Sequence, residues 1–154
     1  MTIVAIDPGP VESAVLEWGF ERLGFMGIMP NEQMRVWLAS QLNPSDSTRL
    51  IAVEMIASYG MSVGKEVFET CLQIGRIQEL SDRNNTPCRL VYRLQVKQHL
   101  CHDSRAKDTN IRAALIDRFG PPGTKKAPGV LYGIKSHLWA ALAVAVYAAD
   151  NPTS

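Results

Sequence analysis

Cysteine is scarce in this sequence of 154 residues, which has three cysteines with no paired spacing among them. An odd number of widely separated cysteines argues against a disulfide framework and predicts reduced thiols in an intracellular protein. Long apolar runs are also lacking. The most apolar run, Leu138 to Ala149, has a dozen residues, whereas a membrane-spanning helix needs about 20. The N-terminus lacks the basic start and apolar core of a signal peptide.

Several common catalytic and ligand-binding motifs are missing as well. No G-x-S-x-G sequence is present, which argues against a serine hydrolase of that type. The stretch "GMSVGKE" is one residue too short for a phosphate-binding loop and has Glu66 where Ser or Thr is required. The "HLCH" sequence offers His99, Cys101 and His102, but no second ligand pair follows at zinc spacing, so a structural zinc is disfavoured.

Length and composition predict one globular domain over residues 1–154, since 46% of the residues are apolar and 20% are charged. The net charge of +1 hides an asymmetry between the two halves of the chain. Residues 1–82 have a balance of −6, and residues 83–154 have a balance of +7. Such an asymmetry is typical of proteins with a polyanionic partner. The alternative is that two solvated faces happen to differ in charge.

The hydrophobic pattern predicts an α/β fold. "TIVAID" and "LIAVEMI" are typical of buried strands, and "ESAVLEW" with "RLGFMGIM" predicts an antiparallel three-stranded start. Asn31 is the predicted N-cap of a helix that contains "NEQMRVWLASQL". Further helices are predicted in the second half, the last of them "SHLWAALAVAVYAAD", with the short strand "PCRLVYR" among them. Strands followed by alternating strands and helices indicate a mixed sheet with helices on both faces.

Two carboxylates, Asp7 and Glu54, stand at or near the ends of buried strands. A lone carboxylate in such a place costs several kcal/mol unless it is paired or binds a metal. If the two strands are neighbours, both side chains meet at one edge of the sheet, where a divalent cation such as Mg²⁺ removes their repulsion. The alternatives are a turn-capping role for Asp7 and an ion pair with an arginine or lysine for Glu54.

His137 falls in the predicted first turn of the last helix, with Ser136 as the predicted cap. The positive end of a helix dipole disfavours an imidazolium ion, so a neutral His137 could bind a metal or position water. The alternative is an ordinary histidine at a helix start.

Five short motifs together resemble the RuvC-like Holliday junction resolvases, and most closely their bacteriophage branch. The motifs are "VAIDPGP", "AVEMI", "VKQHL", "RAKDTNI" and "HLWAALAVAV", and the likeness runs from residue 2 to about residue 149. The resemblance implies a ribonuclease H-like fold with a five-stranded mixed sheet, and a homodimer formed through the helix at 63–83. It implies an endonuclease that uses Mg²⁺ or Mn²⁺ to nick four-way and branched DNA, in phage recombination or packaging, in the host cytoplasm.

The resemblance also implies roles for individual residues. Asp7, Glu54 and His137 match metal-binding positions, while Ala140 stands where the family places a second acidic residue in the last helix. Lys97 and Lys107 match lysines near the scissile phosphate and the DNA backbone. Tyr59 loosely matches a side chain that stacks at the junction centre.

The basic half of the chain supplies further predicted phosphate contacts, at Arg105, Lys125 and Lys126, with Arg89 and Arg93 as additional candidates. Because Ala140 replaces an acid, the alternative function is a junction-binding protein of the same fold that cuts weakly or not at all. An actin-like nucleotide-binding fold also begins with a strand ending in D-x-G, but it needs a much longer chain.

Overall fold

The computed structural model describes residues 1–153 of the chain. Its five-stranded sheet has the order β3-β2-β1-β4-β5. The strands are β1 (Thr2–Asp7), β2 (Glu12–Gly19), β3 (Arg22–Pro30), β4 (Arg49–Met55) and β5 (Cys88–Tyr92). The first three strands are antiparallel neighbours, and β4 lies parallel to both β1 and β5. The predicted mixed sheet with an antiparallel start is therefore confirmed.

Helices cover both faces of the sheet, also as predicted. They are α1 (Asn31–Gln41), α2 (Lys65–Arg83), α3 (Arg93–Cys101), α4 (Asp108–Phe119) and α5 (Leu138–Asp150). Successive residues of β1 alternate between the two layers. Ile3 and Ala5 pack into the core shared with α3, α4 and α5, and Val4 and Ile6 pack into the core shared with α1 and α2. This explains why "IVAI" is apolar without interruption, since both faces of the strand are buried.

The turn after β1 is held by a buried polar network. Ser13 Oγ donates a hydrogen bond of 2.6 Å to Asn31 Oδ1, and Asn31 Nδ2 donates one of 2.9 Å to the carbonyl oxygen of Gly9. The prediction that Asn31 caps α1 is wrong: Pro30 is the N-cap, and Asn31 is the first helical residue. The amide of Asn31 is instead committed to tertiary partners, which fix the chain just beyond Asp7.

The start of α5 also differs from the prediction. Ser136 has a left-handed φ of 50°, and the N-cap is His137, which makes no side-chain cap hydrogen bond. The helix begins at Leu138, so Ser136 is not the cap. The other end of α5 is fixed by Asp150, which accepts a 2.8 Å hydrogen bond from Arg118 Nη2 and lies 2.7 Å from His99 Nε2.

No helix within residues 1–153 combines the length and the apolar character needed to cross a membrane. Helix α5 is the apolar helix that the sequence suggests, and its buried side chains pack against the sheet. The three cysteines, Cys71, Cys88 and Cys101, are free thiols, and burial raises the pKa of Cys88 to about 11.

Candidate active site

Asp7 and Glu54 meet at the edge of the sheet where β1 and β4 end. The parallel register pairs Ile6 with Val53, so the next residue on each strand, Asp7 and Glu54, lie side by side. Both carboxylates line a cavity of about 580 Å³ between the sheet edge and helices α3, α4 and α5. The convergence that the strand pattern predicted is therefore present in the structure.

The environment of Asp7 favours the protonated form of its carboxyl group. Burial, followed by the negative charge of Glu54, raises the pKa of Asp7 from 3.8 to about 7. His137 acts against this shift, because its Nδ1 lies 2.9 Å from Asp7 Oδ2. When His137 Nδ1–H donates to Asp7, the Nε2 atom of the neutral ring stays free to accept a proton. The His137 side chain is 70% exposed, so this second nitrogen is accessible to a substrate.

Glu54 is more deeply buried, and only one of its oxygens has a partner. Arg93 Nη1 donates a 2.9 Å hydrogen bond to Glu54 Oε1, and the other terminal nitrogen of Arg93 binds Asp108. Glu54 Oε2 is buried without a hydrogen-bond partner. The ion pair that was one of the two interpretations of Glu54 is therefore present, yet it leaves one carboxylate oxygen unsatisfied. A buried acceptor in that state costs about 1–3 kcal/mol until it gains a partner.

The donor set of this edge suits a hard divalent cation. Within residues 1–153, no three His, Cys, Asp or Glu side chains are grouped so that they could hold a metal ion by themselves. Mg²⁺, however, is commonly held by one or two carboxylates, with waters and phosphate oxygens as its other ligands. Two adjacent carboxylates, one with an orphaned oxygen and one with a raised pKa, fit such a site.

The raised pKa of Asp7 predicts a specific pH dependence of stability without metal. Between pH about 4 and 7 the folded protein retains a proton that the unfolded chain releases, so stability should fall as the pH rises through this window. One pKa unit corresponds to about 1.4 kcal/mol, so at pH 8 the penalty is on the order of a few kcal/mol. Asp7→Asn should therefore melt several degrees above the wild type at pH 8 in EDTA, and the two should converge near pH 4.

Thermal melts with and without Mg²⁺ measure this effect. Mg²⁺ should raise the melting temperature of the wild type at pH 8 and leave that of Asp7→Asn unchanged. Asp117→Asn is the matched control, because Asp117 is an exposed carboxylate on α4. Equal melting temperatures of the wild type and Asp7→Asn at pH 8 in EDTA would show that folding does not raise the pKa of Asp7.

The predicted lysines lie around the site rather than in it. Lys97 is half-buried on α3, and Lys107 is the exposed N-cap residue of α4. Neither lines the cavity that contains Asp7 and Glu54. Tyr59 lies in the loop between β4 and α2, is 62% exposed, and has a left-handed φ of 49°. The catalytic roles of the two lysines and the stacking role of Tyr59 stay predictions.

The remaining predicted DNA contacts are exposed cations. Arg105 precedes α4, and Lys125 and Lys126 lie at the tip of a tight turn in which Thr124 and Ala127 exchange backbone hydrogen bonds of 3.1 Å. In the part of the chain that the structure describes, none of these three side chains forms an ion pair, so all three are available to an anionic partner.

Sequence reasoning missed part of the cavity lining. Arg93 was a candidate only for phosphate binding, yet it holds Glu54. Asp108, Arg112 and Trp139 line the same cavity and were not predicted as site residues. A signal for Arg93 was present, because a buried Glu54 needs a cationic partner and Arg93 directly follows the neighbouring strand β5.

Comparisons with known proteins agree with the fold. No family model matches this chain, and no curated protein matches it. Among solved structures, the chain is similar to RuvC of Thermus thermophilus, with a TM-score of 0.73 and 20% identity, over 97% of this chain and 93% of that one. It is also similar to T. thermophilus RuvC in complex with a Holliday junction substrate, with a TM-score of 0.69 and 18% identity over the same shares. The chain therefore has the RuvC-like, ribonuclease H-like fold that the motifs predicted.

Proposed function

We propose that this protein is a divalent-metal-dependent endonuclease that nicks four-way and other branched DNA. The observation that best supports this function is the meeting of Asp7 and Glu54 at the ends of two parallel strands, beside His137. A RuvC-like fold and a basic second half of the chain agree with it. The direct test is to incubate the protein with a synthetic four-way junction and Mg²⁺ or Mn²⁺, and to look for nicked strands.

Asp7 and Glu54 would hold the Mg²⁺ or Mn²⁺ ion, with His137 as a third candidate ligand. Bound there, the cation would lower the pKa of a water molecule and stabilise the charge that develops on the phosphate. The side chains of the protein perform the remaining tasks. Arg93 orients Glu54 through its 2.9 Å hydrogen bond. The accessible Nε2 of His137 has one of two roles: it binds the ion, or it stays unligated and accepts a proton from the attacking water. Lys97 and Lys107 would neutralise neighbouring phosphates.

Arg105, Lys125 and Lys126 would bind backbone phosphates away from the cut. Such contacts release counterions, so affinity falls steeply with salt and depends little on sequence. Tyr59, on its exposed loop, would stack on a base near the junction centre.

Removing two of these charges should flatten the salt dependence of binding. For Lys125→Gln/Lys126→Gln we expect weaker junction binding and a slope of log affinity against log salt that is smaller by about 1.8, or roughly 0.9 per lost phosphate contact. Fluorescence anisotropy between 50 and about 200 mM salt measures the slope. Arg22→Gln is the control, since Arg22 starts β3 at the far end of the sheet from Asp7. An unchanged slope in the double variant would place both lysines outside the DNA interface.

A homodimer formed through α2 would suit this function, because two sites related by a two-fold axis can cut a two-fold substrate symmetrically. Phe68 and Leu72 are four residues apart on α2, so they lie on one face of the helix, and they are 61% and 63% exposed. Large apolar side chains exposed together are typical of an interface. Sedimentation at twice the chain mass would support the dimer, and a monomer at every concentration would contradict it.

A second candidate function is junction binding without cleavage. It is favoured by Ala140, which lines the cavity one turn after His137 and brings no carboxylate to it. Parallel assays decide between the two functions. A protein that binds branched DNA but leaves it uncut across a range of Mg²⁺ and Mn²⁺ concentrations would be a binding protein, and the nuclease proposal would fail.

A further inference from the structure

The cavity beside Asp7 and Glu54 is larger and more apolar than a phosphodiester needs. Its floor is formed by side chains from α3, α4 and α5, none more than 5% exposed: Val96, Ile111, Ala143 and Val144. A phosphate would lose its hydration on such a floor without gaining a partner. The volume of about 580 Å³ lies within the range of pockets that enclose small organic ligands.

One wall of this cavity carries a cation–π pair of side chains. The guanidinium carbon of Arg112 lies 4.7 Å from the centre of the Trp139 ring, over its face. Trp139 is half-buried on α5 and Arg112 is exposed on α4, so the ring supports the guanidinium from the protein side. The outer face of the planar guanidinium remains available, and a guanidinium plane is a surface on which nucleic acid bases stack.

We infer that this cavity binds one unstacked nucleobase of the DNA substrate, with Arg112 as the stacking contact and Trp139 as its positioning residue. The inference rests on the proposed function and specifies how the same site would select its substrate. A nucleobase has apolar faces that match the floor and polar edges that can reach the hydroxyl groups of Thr109 and Ser136, which also line the cavity.

The position of the cavity suits this occupant. A strand whose phosphate lies at Asp7 and Glu54 has its neighbouring base within reach of the same cavity, because both carboxylates line it. Taking a base out of a duplex costs a few kcal/mol, and the cost is least where the base is not fully paired and stacked. A branch point supplies such bases. The cavity would therefore favour branched over continuous DNA without reading a sequence.

A test combines a protein variant with base removal from the DNA. The protein carries Asp7→Asn so that the junction stays uncut, and Arg112→Lys is added to it. Lysine keeps the positive charge but has no planar surface for stacking. The DNA is a set of four-way junctions, each with a single abasic site at a different position near the expected cut.

We expect Arg112→Lys to weaken binding of the intact junction about 5-fold or more, the low end of what one stacked base contributes. On the one junction that lacks the base that enters the cavity, Arg112→Lys should bind as tightly as the parent protein. On the other abasic junctions it should still bind more weakly than the parent. Trp139→Ala should show the same pattern. Arg22→Lys is the control and should change binding of no junction, because Arg22 is an exposed arginine at the start of β3 and does not line the cavity.

The outcomes separate this inference from the proposed function. If the loss caused by Arg112→Lys is equal on every abasic junction, or absent on the intact one, no base enters the cavity, although the protein can still be a nuclease. If the Asp7→Asn protein binds no branched DNA at all and the wild type cuts none, the proposed function fails as well.

Discussion

Replacing Asp7 with Asn, or Glu54 with Gln, is expected to slow junction cutting at least about 1,000-fold and to leave junction affinity within a few-fold of the wild type. Each change keeps the shape of the side chain and removes the negative charge that would hold the divalent cation. A cation at a developing phosphate charge contributes several kcal/mol, and a loss of about 4 kcal/mol corresponds to this factor in rate. Binding should survive because the exposed cations proposed to contact phosphates, Lys125 and Lys126 among them, are untouched.

Single-turnover cutting of a labelled four-way junction in Mg²⁺, together with binding measured in EDTA, separates the two effects. Asp117→Asn again serves as the control and should keep both activities, because Asp117 is exposed and does not line the cavity. Circular dichroism checks that each variant is folded. If Asp7→Asn lost binding and cutting to the same degree, Asp7 would have a structural role, and the proposed chemistry would have no basis.

Removing the arginine that holds Glu54 should be the most destabilising single change at the site. Glu54 is 8% exposed, and Arg93 is the source of its one hydrogen bond. In Arg93→Ala the buried carboxylate would lose its cationic partner and face only the carboxyl group of Asp7, which we expect to cost about 3 kcal/mol or more of the free energy of unfolding. The contact with Asp108 should add little, because the Asp108 side chain is 77% exposed.

A double variant distinguishes a charge effect from lost packing. Arg93→Ala/Glu54→Gln should recover most of the stability lost in Arg93→Ala, since the neutral amide no longer leaves a buried charge unpaired. Arg83→Ala is the control, because it breaks an exposed pair with Glu79 on α2 and should change stability by less than about 0.5 kcal/mol. Urea unfolding of all four proteins provides the measurement. No recovery in the double variant would mean that Arg93 stabilises the fold by packing alone.

The sequence predicted the two carboxylates of the site, because both stand at or near the ends of buried strands. The run "IVAI" is apolar on both sides of a buried strand, and "IAVEM" repeats the pattern, so Asp7 and Glu54 stand out as carboxylates where none is expected. Parallel pairing of β1 with β4 then brings both to the same edge. The positions of the strands along the chain were predictable for the same reason, because buried strands leave a strong hydrophobic signal. The assignment to a phage branch stays a prediction.

The wrong prediction for Asn31 and the missed role of Arg93 have one physical cause, which is tertiary contact between distant segments of the chain. Asn31 has the local preference of an N-cap, yet Ser13 and Gly9 bind its amide from another part of the chain. Arg93 has the sequence context of any surface arginine, and only the pairing of β4 with β5 shows that it faces Glu54. Local propensity contains no term for partners of this kind.

The contact between Asp7 and His137 spans 130 residues of the chain. The contact forms only after the chain from β1 to the start of α5 has been synthesised, since Asp7 ends β1 and His137 directly precedes α5. Under the proposed function, a nuclease that became active before it was fully folded would be hazardous. The order of synthesis would therefore delay assembly of the proposed catalytic site until α5 has docked on the sheet.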